Sequence, residues 1–157
     1  MGYNVIDLIN KAINISIRKQ HIYENIKQQK GDIPYMEIVL TVLIKQIDKT
    51  IKYYEILKNE VANKDFEEID LGVYDKISFL INEFNQKISE PQINNVRNFL
   101  EFSLNLEKDT YALFIDVQGR FVKNASDINT NTYIILTNII NKKADFITTL
   151  EENIKWR

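Results

Sequence analysis

Residues 98–121 read NFLEFSLNLEKDTYALFIDVQGRF, and the rest of the chain is organised around this stretch. At the spacing of an α-helix, one stripe of side chains runs along it, and every member except Glu107 is apolar, small or a hydroxyl. A buried carboxylate without a partner costs free energy. Glu107 is therefore a metal ligand, one half of a buried ion pair, or a remnant. The stripe consists of Val96, Leu100, Ser103, Glu107, Thr110, Phe114, Val117 and Phe121.

The remaining sequence carries the same 3–4 spacing of apolar residues, and no alternating strand pattern of useful length competes with it. The chain is therefore predicted to be all-α. Gly31 is expected to cap the first helix in a left-handed conformation, and Pro91 to occupy the first turn of the fourth. The predicted helices span residues 5–29, 35–62, 73–88, 91–123 and 131–155.

The lengths of the connections predict how these helices are arranged. The first two are separated by a short break and so form a helical hairpin, as do the last two. A long crossover, from about residue 63 to residue 90, joins the hairpins and carries the short third helix. The predicted architecture is an up-down four-helix bundle, and residues 1–157 form a single domain on the usual size of domains.

The composition excludes several classes of protein. The net charge is −2, so no basic excess drives nucleic-acid binding. No uninterrupted apolar run approaches ~18 residues, so no membrane span is expected. The chain has no cysteine, which excludes disulfides, zinc–thiolate sites and thiol catalysis. Without a recognisable signal peptide at its start, the chain is predicted to be cytoplasmic.

The two hairpins resemble each other, and one helix of the second hairpin carries a motif similar to that of a known family. Residues 12–16 and 103–107 each run small–apolar–Asn–apolar–X, with an aromatic residue seven positions after X. Residues 100–114, LEFSLNLEKDTYALF, are similar to the A-L-E-L-E-K-D-x-Y wording of the rubrerythrin-like branch of the ferritin-like superfamily. This resemblance implies a ferritin-like bundle, in which the four helices of the family hold two metal ions.

The same resemblance assigns six ligand positions, and only one of them retains a ligand. A di-iron or di-manganese centre needs several carboxylates, usually with imidazoles. A single carboxylate beside a lysine does not supply them, so the resemblance implies that the metal site is lost and that no metal or other cofactor is expected. The aligned positions are Ser16 on the first helix, Ile47 and Thr50 on the second, Glu107 on the fourth, and Lys143 and Phe146 on the fifth.

Lys143 is the one charged residue on the apolar stripe of the last helix. Our hypothesis is that it supplies the positive charge that metal supplies in the family, and pairs with Glu107. The alternative is that one or both side chains reach the end of the bundle and are solvated.

Other polar residues near the aligned positions could hold a displaced metal site, but they lie off the apolar stripes and are predicted to be surface residues. The aromatic residues Tyr23, Tyr54 and Phe114 are predicted to be core residues. The expected surface residues are Gln46, Asp48, Lys49, Lys142, Asp145 and the only histidine, His21.

Three functions fit these observations. The first is a catalytically silent ferritin-like bundle, not an enzyme, that acts as an interaction or structural module with a homodimer or a protein partner. The second is a metal-binding ferritin-like or rubrerythrin-like oxidoreductase with a displaced di-iron or di-manganese site, which rests on fold analogy alone. The third is a helical secretion or flagellar chaperone with a groove for a partner helix.

Trp156, near the end of the sequence, would need an apolar surface to pack on.

Overall fold

A computed structural model describes residues 2–155, and within them the chain is helical. No strand is formed in this range; the only extended pairing described is an isolated antiparallel bridge between Tyr3 and Ile69. The all-α class is therefore confirmed. Trp156 lies outside the described residues. The helices are α1 (Val5–Lys30), α2 (Met36–Ala62), α3 (Leu71–Lys87), α4 (Val96–Gly119) and α5 (Asn131–Lys155), with a 3₁₀ helix at Ala125–Asn129.

The start of α4 differs from the prediction. The helix begins at Val96 rather than at Pro91, because the side chain of Asn95 acts as the cap: its Oδ1 accepts a hydrogen bond from the Asn98 amide at 2.8 Å. The helix also ends at Gly119 rather than at Lys123. Proline in a first turn and asparagine at an N-cap are both start signals, and here the cap sets the boundary.

The start of α3 is set in the same way. Its first residue is Leu71, two positions before the predicted start, because Asp70 caps it. One oxygen of the Asp70 carboxylate accepts hydrogen bonds from the amides of Gly72 at 2.8 Å and Val73 at 3.2 Å. Two of the unpaired amides of the first turn are thereby satisfied.

The connection between α1 and α2 is also built differently from the prediction. Gly31 is not left-handed, since no glycine in the described range has positive φ. Glycine fits this position for a different reason: the backbone of residue 31 lies close to the carbonyl oxygen of Lys27, and a Cβ there would be only 2.6 Å from that oxygen. The left-handed residue is Tyr35, at φ 66° and ψ −5°, immediately before α2. A tyrosine in this conformation is strained, since its Cβ crowds the backbone.

The described residues divide into two compact units, and each is described by itself. We call Ile6–Asp65 with Ser89–Leu100 the N-terminal hairpin unit, and residues 2–5, Phe66–Ile88 and 101–155 the C-terminal hairpin unit. The single domain predicted for residues 1–157 stays a prediction.

The N-terminal hairpin unit contains α1, α2 and the first turn of α4. The Gln20 amide donates a hydrogen bond to the Asp48 carboxylate. Gln20 is near the middle of α1 and Asp48 near the middle of α2, so the two helices run antiparallel on either side of their short connection. The ring of Tyr23 meets that of Phe99 edge to face, with 5.3 Å between centroids. The buried apolar side chains of the N-terminal hairpin unit include Ile9, Ile15, Met36, Leu40 and Tyr54.

The C-terminal hairpin unit contains α3, the rest of α4, the 3₁₀ helix and α5. The Gln118 amide near the end of α4 donates to the Tyr133 carbonyl at 3.1 Å and the Thr137 hydroxyl at 2.6 Å, both near the start of α5. These two helices are therefore antiparallel as well. Ahead of α3, Glu67 accepts from the Thr132 amide at 3.0 Å and so ties the crossover to the start of α5.

None of the helices in the described part of the chain is both long enough and apolar enough to cross a membrane.

Candidate functional site

The C-terminal hairpin unit brings Glu107 and Lys143 together. Lys143 Nζ donates a hydrogen bond to Glu107 Oε2 at 2.6 Å, joining α4 to α5. The side chains are 3% and 6% exposed, so the contact lies in the interior of the unit. The alternative in which one or both side chains reach solvent does not agree with this burial.

The ion pair is placed by the same periodicity that forms the core. Ser103, Glu107 and Thr110 face inward at helical spacing on α4, and each of the three residues is at most 2% exposed as a whole. On α5, Lys143 follows the buried Leu136 and Ile139 at helical spacing. A charge on such a stripe is almost completely shielded from water, and the contact between the two residues offsets part of the cost of burying them.

An aromatic ring lies near the ammonium, and the neighbouring hydroxyl on α4 is already bonded. Lys143 Nζ lies 5.9 Å from the centroid of the half-buried Phe146 ring, one turn further along α5. The hydroxyl of Thr110 donates to the Leu106 carbonyl at 2.8 Å and is satisfied within α4. In an environment of this kind, a charge-assisted hydrogen bond is short and stronger than one between neutral groups.

Ser103 adds an unusual feature one turn before Glu107. Its side chain is buried, at 1% exposure, and its Oγ has no hydrogen-bond partner in the described part of the chain. Buried hydroxyls are normally paired. The site is therefore a fully buried carboxylate–ammonium pair with an unsatisfied hydroxyl beside it on the same helix face.

The remaining aligned positions do not add ligands. Ser16 and Ile47 are buried in the N-terminal hairpin unit, and Thr50 there is half-buried with its hydroxyl donating to the Gln46 carbonyl at 3.0 Å. Together with Phe146, these residues offer two hydroxyl groups, an aliphatic side chain and an aromatic ring. Such a donor set does not fit a pair of hard cations, which prefer several carboxylates. Among residues 2–155, no three His, Cys, Asp or Glu side chains form a group that could hold a metal ion.

The residues considered for a displaced site lie mostly at the surface. Gln46 is half-buried, and the others are exposed. Asp48 accepts the hydrogen bond from Gln20 described above. The prediction of surface positions is thus confirmed for all but Gln46, and the core positions of Tyr23, Tyr54 and Phe114 are also confirmed. The exposed members are His21, Asp48, Lys49, Lys142 and Asp145.

Sequence reasoning missed one buried charge. Lys19, on α1, is 2% exposed and is among the most completely buried large side chains in the described range. The neighbouring positions Ile13 and Gln20 are only half-buried, so the buried face of α1 includes Lys19. A signal was present in the helical spacing of Lys19 from the apolar residues Ala12, Ile15, Ile22 and Ile26.

A surface cavity of about 430 Å³ also occurs in the C-terminal hairpin unit. It is lined by residues 2–3 and 68–71 and includes no residue of the ion pair. The ring of Tyr3 stacks on that of Tyr74 at 3.7 Å between centroids. Because Asp70 is already engaged in capping α3, Glu68 is the carboxylate that the cavity offers.

Comparison with known proteins gives no match: no family model matches the sequence, no curated protein matches it, and no solved structure matches it. The interpretation of the site therefore depends on its own chemistry.

Proposed function

We propose that the protein is a ferritin-like four-helix bundle in which an ion pair has replaced the two-metal centre, and that it acts as an interaction or structural module rather than as an enzyme. The bundle in this proposal pairs the α1–α2 hairpin with the α4–α5 hairpin, and α3 lies in the crossover between them. The similar lengths of the four long helices, 24 to 27 residues, support it, whereas α3 has 17.

The observation that carries the proposal is the buried contact between Lys143 and Glu107. In the ferritin-like pattern, the position of Glu107 supplies a carboxylate to metal, and the position of Lys143 supplies another. Here the second carboxylate is exchanged for an ammonium that binds the first at 2.6 Å. A metal ion and a lysine compete for the same lone pairs, so one ammonium neutralises the carboxylate that metal would otherwise need.

A buried pair of this kind offers no obvious catalytic step. Neither side chain is accessible to a substrate. The function then lies at the surface, through a second copy of the chain or another protein.

Metal loading tests this proposal directly. Purified protein is incubated anaerobically with Fe²⁺ or Mn²⁺, freed of unbound ions, and analysed for metal by mass spectrometry. We expect no stoichiometric metal in the wild-type chain, in Glu107→Gln, or in the matched variant Asp109→Asn, which changes an exposed carboxylate on the same helix.

The opposite result would support the oxidoreductase alternative. About two metal ions per chain, as in the family's sites, lost in Glu107→Gln but kept in Asp109→Asn, would overturn the proposal. Recovery of one different protein with a tagged chain from native cells would favour the chaperone alternative.

A further inference from the structure

The outer face of α2 is apolar at one end and basic at the other. It begins with the strained Tyr35, which is 71% exposed, and continues at helical spacing through Ile38 and Val42, which are 66% and 60% exposed. Three exposed lysines follow on the same face. Single exposed apolar residues are ordinary on protein surfaces, but a continuous row is not. We call this row the α2 stripe: Tyr35, Ile38, Val42, Lys45, Lys49 and Lys52.

The outer face of α3 carries the opposite charge. Leu71 and Phe79 are both 62% exposed, and two exposed carboxylates alternate with them at i, i+4 spacing. Only Ile77 and Ile81 are buried on this helix. The α3 stripe is Leu71, Asp75, Phe79 and Glu83.

The charges on both stripes are unused. Within residues 2–155, neither the three lysines of the α2 stripe nor the two carboxylates of the α3 stripe take part in an ion pair. An apolar and basic helix face and an apolar and acidic helix face are thus both exposed on one chain. Each has the composition that the other would bind, since complementary charges fix partner and register while apolar contacts supply affinity.

We infer that the chain self-associates by docking the α3 stripe of one copy on the α2 stripe of another. This inference rests on the proposed function and names its partner as a second copy. The contact joins two different faces, the α3 stripe of one copy and the α2 stripe of another. Two copies that make this contact twice close into a dimer. Copies that each make it with a different neighbour form longer assemblies. Either arrangement gives a particle heavier than the 18.5 kDa chain.

A membrane surface fits these faces less well than a second copy does. The lysines lie at one end of the α2 stripe rather than along both sides of an apolar face, as an interfacial helix requires. The chain also carries a net charge of −2, and the carboxylates of the α3 stripe would be repelled by anionic lipid.

Charge reversal tests the inference with the full chain. One variant, Lys45→Glu with Lys49→Glu, makes the α2 stripe acidic; a second, Asp75→Lys with Glu83→Lys, makes the α3 stripe basic. Sedimentation velocity should show that wild-type association weakens as salt rises. Each variant alone should dissociate more readily, by more than about tenfold in Kd, because it brings like charges together.

The mixture of the two variants is the decisive sample. Each variant's altered face complements a face of the other, so an equimolar mixture should associate again. A matched control, Lys30→Glu with Lys64→Glu, reverses two exposed lysines outside both stripes and should associate as the wild type does. Circular dichroism establishes that all variants remain helical.

Three results would overturn the inference: a wild-type chain that stays monomeric at every concentration, variants that associate as the wild type does, or a mixture that does not reassociate. The inference is also overturned if the chain stays monomeric and instead binds vesicles of anionic lipid, or a different protein, through the α2 stripe. The failure of the proposed function has a separate signature, because it requires stoichiometric metal in the loading experiment.

Discussion

The ammonium of Lys143 and the carboxylate of Glu107 form a hydrogen-bonded ion pair between α4 and α5, with 2.6 Å between Nζ and Oε2 and almost no exposure of either side chain. Both residues interrupt apolar stripes. Each charge offsets part of the cost of burying the other, which has direct consequences for stability.

Removal of the carboxylate alone should destabilise the chain strongly. Glu107→Leu leaves Lys143 buried without this partner, and we expect a loss of about 3–5 kcal/mol in the free energy of unfolding. Urea denaturation followed by circular dichroism measures it. Asp109→Leu, an exposed position on the same helix, is the control and should change stability by no more than about 0.5 kcal/mol. Equal melting of Glu107→Leu and wild type would mean that the pair is not buried in solution.

Ser103 should behave in the opposite way. Its buried hydroxyl has no partner among the described residues, so Ser103→Ala removes an unsatisfied polar group and should be neutral or stabilising by up to about 1 kcal/mol. Thr110→Val is the comparison, because the Thr110 hydroxyl is bonded to the Leu106 carbonyl and its loss should cost about 1 kcal/mol. A destabilised Ser103→Ala would indicate that the hydroxyl has a partner in solution, such as a buried water.

Tyr35 should be a position where glycine improves stability. The left-handed backbone strains a residue with a Cβ by roughly 1–2 kcal/mol, and glycine relieves this at a partly offsetting entropic cost. We expect Tyr35→Gly to gain about 0.5–1 kcal/mol. Tyr35→Ala keeps the strain and loses the same largely exposed ring, so it should lack the gain. Because the ring belongs to the α2 stripe, both variants should weaken self-association.

How far the sequence predicts the structure depends on how local the determining interaction is. The apolar stripes of α4 and α5 were readable because each has a strict period, and Glu107 and Lys143 stood out as the exceptions. Lys19 also has helical spacing from apolar residues of α1, but a long lysine at such a position usually reaches solvent with its charged end, so the spacing alone is a weak sign of burial.

The connections were harder to predict because several residues compete for each role. Asn95, rather than Pro91, determines where α4 begins, and Tyr35, rather than Gly31, takes the left-handed conformation. A glycine is the cheaper residue for positive φ, so sequence alone favours Gly31. Its close approach to the Lys27 carbonyl is a three-dimensional constraint that no local pattern reports.

Asp127 should make the loop before α5 sensitive to acid. Its Oδ2 accepts hydrogen bonds from the backbone amides of Asn124 and Lys123, both at 2.8 Å. These hydrogen bonds lower the pKa of the Asp127 carboxyl below its ordinary value of 3.8. Because the pKa of Asp127 is lower in the folded chain than in the unfolded chain, the ionised carboxylate stabilises the folded state at pH values above the unfolded pKa. This stabilisation is lost as the pH falls through the pKa of the folded chain.

Comparison with Asp127→Asn across pH measures this effect. The melting temperature of the wild type should exceed that of the variant at neutral pH, and the difference should disappear in acid below pH 3.8. An NMR titration of the Asp127 carboxyl should give a pKa below the same value. A normal or raised pKa would show that the two amide hydrogen bonds are not kept in solution.

The most direct test of the central claim, that Glu107 and Lys143 stabilise each other as a buried ion pair, is a double-mutant cycle on these two residues. Urea unfolding of Glu107→Leu, Lys143→Met and the double variant gives the coupling free energy between the two side chains. We predict that each single variant loses about 3–5 kcal/mol, and that the double variant recovers most of the loss because both charges of the pair are removed together. A double variant whose loss equals the sum of the two single losses would contradict the claim.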